Sequence, residues 1–257
     1  FATGCSKTDT IKVTVLPNPM AITGPAKSIC QSDSVEIGSL GISGNSYAWT
    51  SSPSGFVSAI ANPKVAPLVS TKYYLTELVN ATGCAKSDSI IVYVSPKPLA
   101  SAGTNRSICK GTTTLIGTTP VSTSSYSWTS TPFGYFSNIA NPLVSPIVTT
   151  TYILTETNTV SGCTKSDSVK VIVYENPLAN TGPPISICKG SSTQIGSNPI
   201  NGSTYLWSSY PTGFSSILSN PTITPVTTTT YFLTETITAT GCIKKDSVTV
   251  SVYPAPK

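Results

Sequence analysis

Tyr73-Tyr74-Leu75-Thr76-Glu77, then Thr82-Gly83-Cys84, then Ile90-Ile91-Val92-Tyr93-Val94: two runs rich in β-branched and aromatic residues flank a Gly-containing turn. That arrangement is the signature of a β-hairpin. In the second run, alternation across a strand puts Val92 on one face and Ile91 and Tyr93 on the other. The hairpin returns twice, as Tyr152-Ile153-Leu154-Thr155-Glu156 before Ser161-Gly162-Cys163, and as Tyr231-Phe232-Leu233-Thr234-Glu235 before Thr240-Gly241-Cys242. Val171 and Val250 then occupy the place of Val92.

The step between copies is 79 residues and never slips. Trp49, Trp128 and Trp207 keep it, as do Cys5, Cys84, Cys163 and Cys242, and Cys30, Cys109 and Cys188. A strict period of this kind marks a tandem array. It divides the chain into repeats at 20–98, 99–177 and 178–257. Residues 1–19 match the end of a copy, and the alternation at Ile11, Val13 and Val15 reads as the last strand of a preceding, truncated repeat. The chain is therefore expected to be a window on a longer polypeptide.

Outside the hairpin, each repeat offers a central strand at Tyr47-Ala48-Trp49, Tyr126-Ser127-Trp128 or Tyr205-Leu206-Trp207. Shorter strands are expected around Ile37, Ile116 and Ile195, each followed by Gly, and before Pro67, Pro146 and Pro225. No useful length shows helical periodicity. About seven short strands with a central Trp describe an all-β immunoglobulin-like sandwich. Pro-rich junctions such as Pro96-Lys97-Pro98 act as semi-rigid spacers, so the array is expected to form a rod or slow superhelix.

Charged residues make up only 10% of the chain, and the net charge of +5 comes from scattered lysines. This is a solvated surface, not the clustered basic face that nucleic acid requires. No apolar stretch approaches the length of a membrane helix.

Two cysteines per repeat point to disulfides and an oxidising compartment. The simplest pairing lies within each repeat, Cys30–Cys84, Cys109–Cys163 and Cys188–Cys242, each 54 residues apart. Such a loop is worth roughly 4 kcal/mol in the chain-entropy model. The alternative runs between neighbours: if the two cysteines lie at opposite poles, they exceed the bonding range of about 7 Å, and Cys30 faces Cys163 instead. Free thiols or other pairings are a third option. Cys5 has its partner outside the chain.

Trp49, Trp128 and Trp207 read as core, with a glycan-binding surface as the rival. Tyr73, Tyr152 and Tyr231 open the penultimate strand, a place for a buried tyrosine whose hydroxyl ties back to backbone. Glu77 and Asp88 recur as Glu156 and Asp167 and as Glu235 and Asp246, beside Lys86, Lys165 and Lys244. Pairing about the turn sets Glu77 opposite Lys86 as a cross-strand ion pair. Calcium is the sharper reading of these acids, although no D-x-D-x-D-G loop is present. A self-formed isopeptide bond would bring together Lys86, Asn62 and Glu77, but Asn62 precedes a proline and reads as a turn residue. Without a histidine there is no Ser-His-Asp triad and no imidazole ligand. No C-x-x-C pair or phosphate loop appears either, so catalysis is not expected from this chain.

Taken together, Ile187-Cys188, Ile195-Gly196, Tyr205-Leu206-Trp207, Asn220-Pro221, the Thr-x-Tyr-x-Leu-Thr-Glu of residues 229–235, Gly241-Cys242 and an alternating strand to Val252 form a moderately specific pattern. It resembles the PKD-like and immunoglobulin-like tandem repeats of giant secreted surface proteins of the Bacteroidota. The resemblance implies export by the type IX route and a place at the cell surface, in adhesins, fibres or stalks. The acidic loop of PKD domains is replaced here by Trp49-Thr50-Ser51-Ser52-Pro53.

The resulting expectation is an extracellular stalk or fibre element, strengthened by disulfides, whose partners are adjacent repeats or copies of itself. Its first rival is a self-assembling filament subunit with Ile91, Tyr93 and Ile172 as the lateral contact. The others are an adhesin that binds surface glycan or protein, and the spacer of a secreted enzyme.

Overall fold

The computed structural model describes residues 3–254, and all regular structure among them is β-strand. The first repeat contains β1 (Lys27–Cys30), β2 (Val35–Glu36), β3 (Asn45–Ser52), β4 (Lys64–Val65), β5 (Thr71–Val79) and β6 (Ala85–Ser95). The second holds β7 (Arg106–Cys109), β8 (Thr114–Leu115), β9 (Ser124–Thr131), β10 (Leu143–Val144), β11 (Thr150–Asn158) and β12 (Thr164–Tyr174). The third holds β13 (Ile185–Cys188), β14 (Thr193–Gln194), β15 (Ser203–Tyr210), β16 (Ser215–Ser216), β17 (Thr222–Ile223), β18 (Thr229–Ile237) and β19 (Ile243–Tyr253).

In each repeat the hairpin forms the middle of a larger sheet, ordered β1-β6-β5-β3, β7-β12-β11-β9 and β13-β19-β18-β15-β16. A two-stranded sheet, β2-β4, β8-β10 or β14-β17, lies opposite. The first strand runs parallel to the last, whereas the hairpin and central strand are antiparallel. This is an immunoglobulin-like β-sandwich.

Alternation explains the burial. Tyr73, Leu75 and Glu77 on β5 are buried, with less buried residues between them. Val92, Val171 and Val250 are completely buried. Each repeat has its own core. Around Trp49 it gathers Ile37, Val65, Tyr73, Leu75, Ile90 and Val92, and equivalent clusters surround Trp128 and Trp207.

The Ile-Gly step closes the core on its other side. Gly38, Gly117 and Gly196 have φ of +85°, +78° and +89°. A Cβ there would stand 2.2, 2.1 and 2.1 Å from the carbonyl oxygens of Ala61, Ala140 and Ser219. Neither the conformation nor the space admits a side chain.

By compactness the chain divides into two units, Phe1–Leu99 with Thr157–Lys165, and Ala100–Glu156 with Ser166–Lys257. The strand expected at residues 11–15 is not formed. Ile11, Val13 and Val15 are 90%, 77% and 88% exposed, and residues 3–19 carry no regular structure. The alternating pattern is present, but the hairpin and core against which the same pattern folds in the repeats have no counterpart beside it. No helix among the described residues is long and apolar enough to cross a membrane.

Candidate functional site

The cysteine pairing follows from where β1 lies. Its last residue, Cys30, is in register with Ser95, the last residue of β6. Cys84 sits in the turn before β6 begins. At about 3.3 Å per residue, the eleven residues of β6 separate these two ends by roughly 33 Å. No disulfide spans that distance. The pairing within repeats is therefore corrected: Cys30 bonds Cys163, and Cys109 bonds Cys242, with Cα–Cα separations of 5.6 and 5.5 Å. Each bond joins one repeat to the next across 133 residues. A loop of that length is worth about 5 kcal/mol by chain entropy alone. Cys5, Cys84 and Cys188 are free thiols.

Ion pairs clip the turn beyond the first cysteine to the junction that ends the same repeat. Lys97 Nζ lies 2.8 Å from Asp33 Oδ1, and Lys110 Nζ lies 3.1 Å from Glu175 Oε1. Both pairs are exposed enough that each contributes at most about 1 kcal/mol.

The recurring acids do a different job from the one expected. Glu77 is opposite Lys86 in the register, yet Glu77 is 3% exposed while Lys86 is exposed. Its carboxylate turns to the segment that opens the repeat: Ala21 N donates to Oε2 at 2.8 Å, and Asn45 Nδ2 donates to Oε1 at 2.6 Å. Tyr47 OH adds a third donor at 3.2 Å. Asp88 Oδ2 accepts from Thr23 N at 3.0 Å and from Thr23 Oγ1 at 2.7 Å. The carbonyl of Thr23 in turn accepts from Gly38 N at 3.1 Å. Thus two carboxylates and one glycine amide fix residues 21–23 onto the sandwich immediately after the proline junction.

The third repeat repeats the device through Glu235 with Ala179 N (2.9 Å) and Asp246 with Thr181 N and Oγ1 (2.9 and 2.7 Å). In the second, Asp167 accepts from Ala102 N at 2.8 Å. The anchored Ala21 and Ala179 have φ of 45° and 40°, and their counterpart Ala100 has 22°, a conformation that alanine adopts only when its surroundings impose it. The Thr23 hydroxyl, foremost, holds the Asp88 carboxyl below the usual carboxylate range. For Asp246 burial pushes upward, but the Thr181 bonds outweigh it and the net shift is downward.

With Lys86 exposed and Glu77 held by amides, the buried Lys–Asn–Glu cluster of an isopeptide bond is not assembled. Among the described residues no group of three or more His, Cys, Asp or Glu is placed to hold a metal ion.

Trp49, Trp128 and Trp207 are at most 1% exposed. Tyr73, Tyr152 and Tyr231 are each 3% exposed and meet Phe56, Tyr135 and Phe214 edge-on at 5.1–5.2 Å. Burial pushes their phenol pKa values up. The tie to backbone is made by a different tyrosine, two residues before each Trp. The hydroxyls of Tyr47, Tyr126 and Tyr205 accept from Ile42 N, Val121 N and Ile200 N at 2.7–2.8 Å. Of the residues expected at a lateral contact, Tyr93 is 49% exposed, while Ile91 and Ile172 are half-buried.

No protein-family model matches the chain, and no curated protein matches it. Among solved structures it is similar to an I-band fragment from titin, at 12% identity and a TM-score of 0.42, over 91% of this chain and 97% of that one. It is also similar to extracellular domains 3–5 of Drosophila OTK, at 12% identity and a TM-score of 0.35, over 92% of this chain and 97% of that one.

Proposed function

We propose that this chain is a spacer segment of an extracellular surface protein, a stalk whose repeats are stapled to one another to hold a terminal element away from the cell. The observation that carries the reading is that each disulfide joins consecutive repeats. A bond within one sandwich would serve that sandwich's own stability. A bond between neighbours restrains their orientation, which matters only to an array. The carboxylate anchors support the same reading, because they fix the chain just after each proline junction. Disulfides of this kind persist outside the cytosol. The resemblance of the repeat pattern to giant Bacteroidota surface repeats agrees with that location.

The test uses the free thiols as handles. Spin labels on Cys84 and Cys188, in a chain carrying Cys5→Ser, report one distance distribution across the staples. A narrow distribution that broadens when Cys30, Cys109, Cys163 and Cys242 are changed to Ser supports a restrained spacer. An equally broad distribution with the disulfides intact overturns it. Binding of the chain to a glycan array would instead favour a ligand-binding adhesin.

A further inference from the structure

We propose that the third repeat carries a binding pocket for a small primary amine, an alkylammonium whose charged head meets Glu235. The proposal rests on the geometry of that repeat and not on the spacer role.

The starting point is a buried carboxylate with too few partners. Glu235 is 2% exposed. Its Oε2 accepts from Ala179 N, as Glu77 Oε2 accepts from Ala21 N. With Oε2 committed alike in both repeats, Oε1 is the oxygen on the side of Asn45 in the first and of its equivalent, Ser203, in the third. There the two repeats part. Glu77 Oε1 takes one donor from Asn45 Nδ2 at 2.6 Å and another from Tyr47 OH at 3.2 Å. Glu235 Oε1 takes none. Among the described residues no ion pair compensates it either, because Lys244 is opposite Glu235 in the register but exposed. A buried carboxylate oxygen with neither donor nor counter-charge is costly, and a ligand that brings both relieves that cost.

Space for such a ligand lies at the same residues. Glu235 and Ser203 line a pocket of about 440 Å³ together with Leu178, Ile200, Ile237 and Ala239. That volume suits a small molecule, and an apolar lining with few polar groups is the usual make-up of such a site. Leu178 and Ile200 are exposed, so the pocket is open to solvent.

The first repeat shows what the oxygen accepts, a nitrogen donor from the side chain of residue 45. Ser203 has no nitrogen to offer, and the ligand supplies it. An ammonium head is preferred to a neutral amide because it also brings the missing charge, and charge-assisted hydrogen bonds are the stronger ones. A short aliphatic chain behind the head then covers Leu178, Ile200 and Ile237. The first repeat is closed to the same ligand, since Asn45 and Tyr47 already occupy Glu77 Oε1.

The experiment titrates the full chain, disulfides intact, with n-butylammonium chloride and follows the backbone amides and the glutamate carboxylate carbons by NMR. The expected result is saturable shifts at Leu178, Ile200, Ser203, Ile237 and the Glu235 carboxylate, with a Kd of about 1 mM, and none at Glu77. The neutral n-butanol should bind at least about tenfold more weakly. Ser203→Asn should weaken butylammonium binding by about tenfold or more, because it returns the protein's own amide to the carboxylate. That variant keeps the fold, since the first repeat already carries Asn at this place. Glu235→Gln, which retains an acceptor for Ala179 N, should weaken it by a similar factor. Binding that Ser203→Asn leaves unchanged, equal binding of butanol, or no saturable shift at these residues would each overturn the proposal.

Discussion

In the first repeat, Glu77 Oε1 is held by Asn45 and Tyr47, while Trp49 Nε1 is buried without a hydrogen-bond partner. In the third, Trp207 Nε1 donates to Leu218 O at 2.9 Å, while Glu235 Oε1 is the buried atom without a partner. Each of these two repeats thus carries one unsatisfied polar group, at a cost of about 1–3 kcal/mol. The loss of the amide donor has a cause in the sequence. Ser203 stands where the first repeat has Asn45, and its shorter side chain lacks the amide that reaches the carboxylate. The tryptophan half has no such cause, because Ala140 matches Ala61 and yet Trp128 does find Ile139 O at 2.9 Å. The comparison shows that the anchor on the opening segment is the constant part, and that the groups around it drift.

The strongest way to break the comparison is at the glycines, where the two repeats are the same. Gly38→Ala and Gly196→Ala should each abolish cooperative unfolding of their own repeat, a loss above about 4 kcal/mol, read by hydrogen exchange of that repeat's strand amides. If one is tolerated, the two cores are not equivalent. A smaller effect separates the acids. Glu77→Ala should cost about 3 kcal/mol and Glu235→Ala about 2, because Glu77 serves three donors; equal losses in urea titrations would remove the contrast. Exchanging the partner should sharpen it further. Ser203→Asn should stabilise the third repeat by about 1 kcal/mol, and Asn45→Ser should destabilise the first by as much, both measured by exchange protection.

The smallest effect depends on pH. Asp88 and Asp246 have folded-state pKa values below their ordinary ones. Their contribution is therefore complete above the unfolded value of about 3.9 and is lost as pH falls through the folded value. Thr23→Ala and Thr181→Ala should flatten the fall in melting temperature below about pH 4. An unchanged slope would mean that the threonine hydroxyls do not hold the acids.

The hairpins, the central Trp and the sandwich were legible because strand alternation and a gapless period are local signals. Even the pairing of Glu77 with Lys86 is correct as register. What the carboxylate does there was not legible. Its partner, Ala21, lies 56 residues away and offers a backbone amide, which has no side-chain signature. The disulfides were left open between two pairings for a similar reason. They depend on β1 running parallel to β6, and so on which pole holds each cysteine, while a four-residue strand such as Lys27–Cys30 does not announce its direction. At residues 11–15 the alternation has no neighbouring strand to pair with, and alternation without neighbours is only a pattern.

The two disulfides also interlock: Cys109 lies inside the loop closed by Cys30 and Cys163, and Cys163 lies inside the loop closed by Cys109 and Cys242. The shortest covalent route from Cys30 to Cys242 therefore crosses to Cys163, runs backwards along the chain to Cys109 and crosses again. It uses 163 − 109 = 54 residues of backbone, where the open chain uses 242 − 30 = 212. Fully drawn out at about 3.5 Å per residue, these are about 190 Å and about 740 Å. Even if the three cores melted under tension, the two outer cysteines would separate to only about a quarter of the length that the unlinked chain allows.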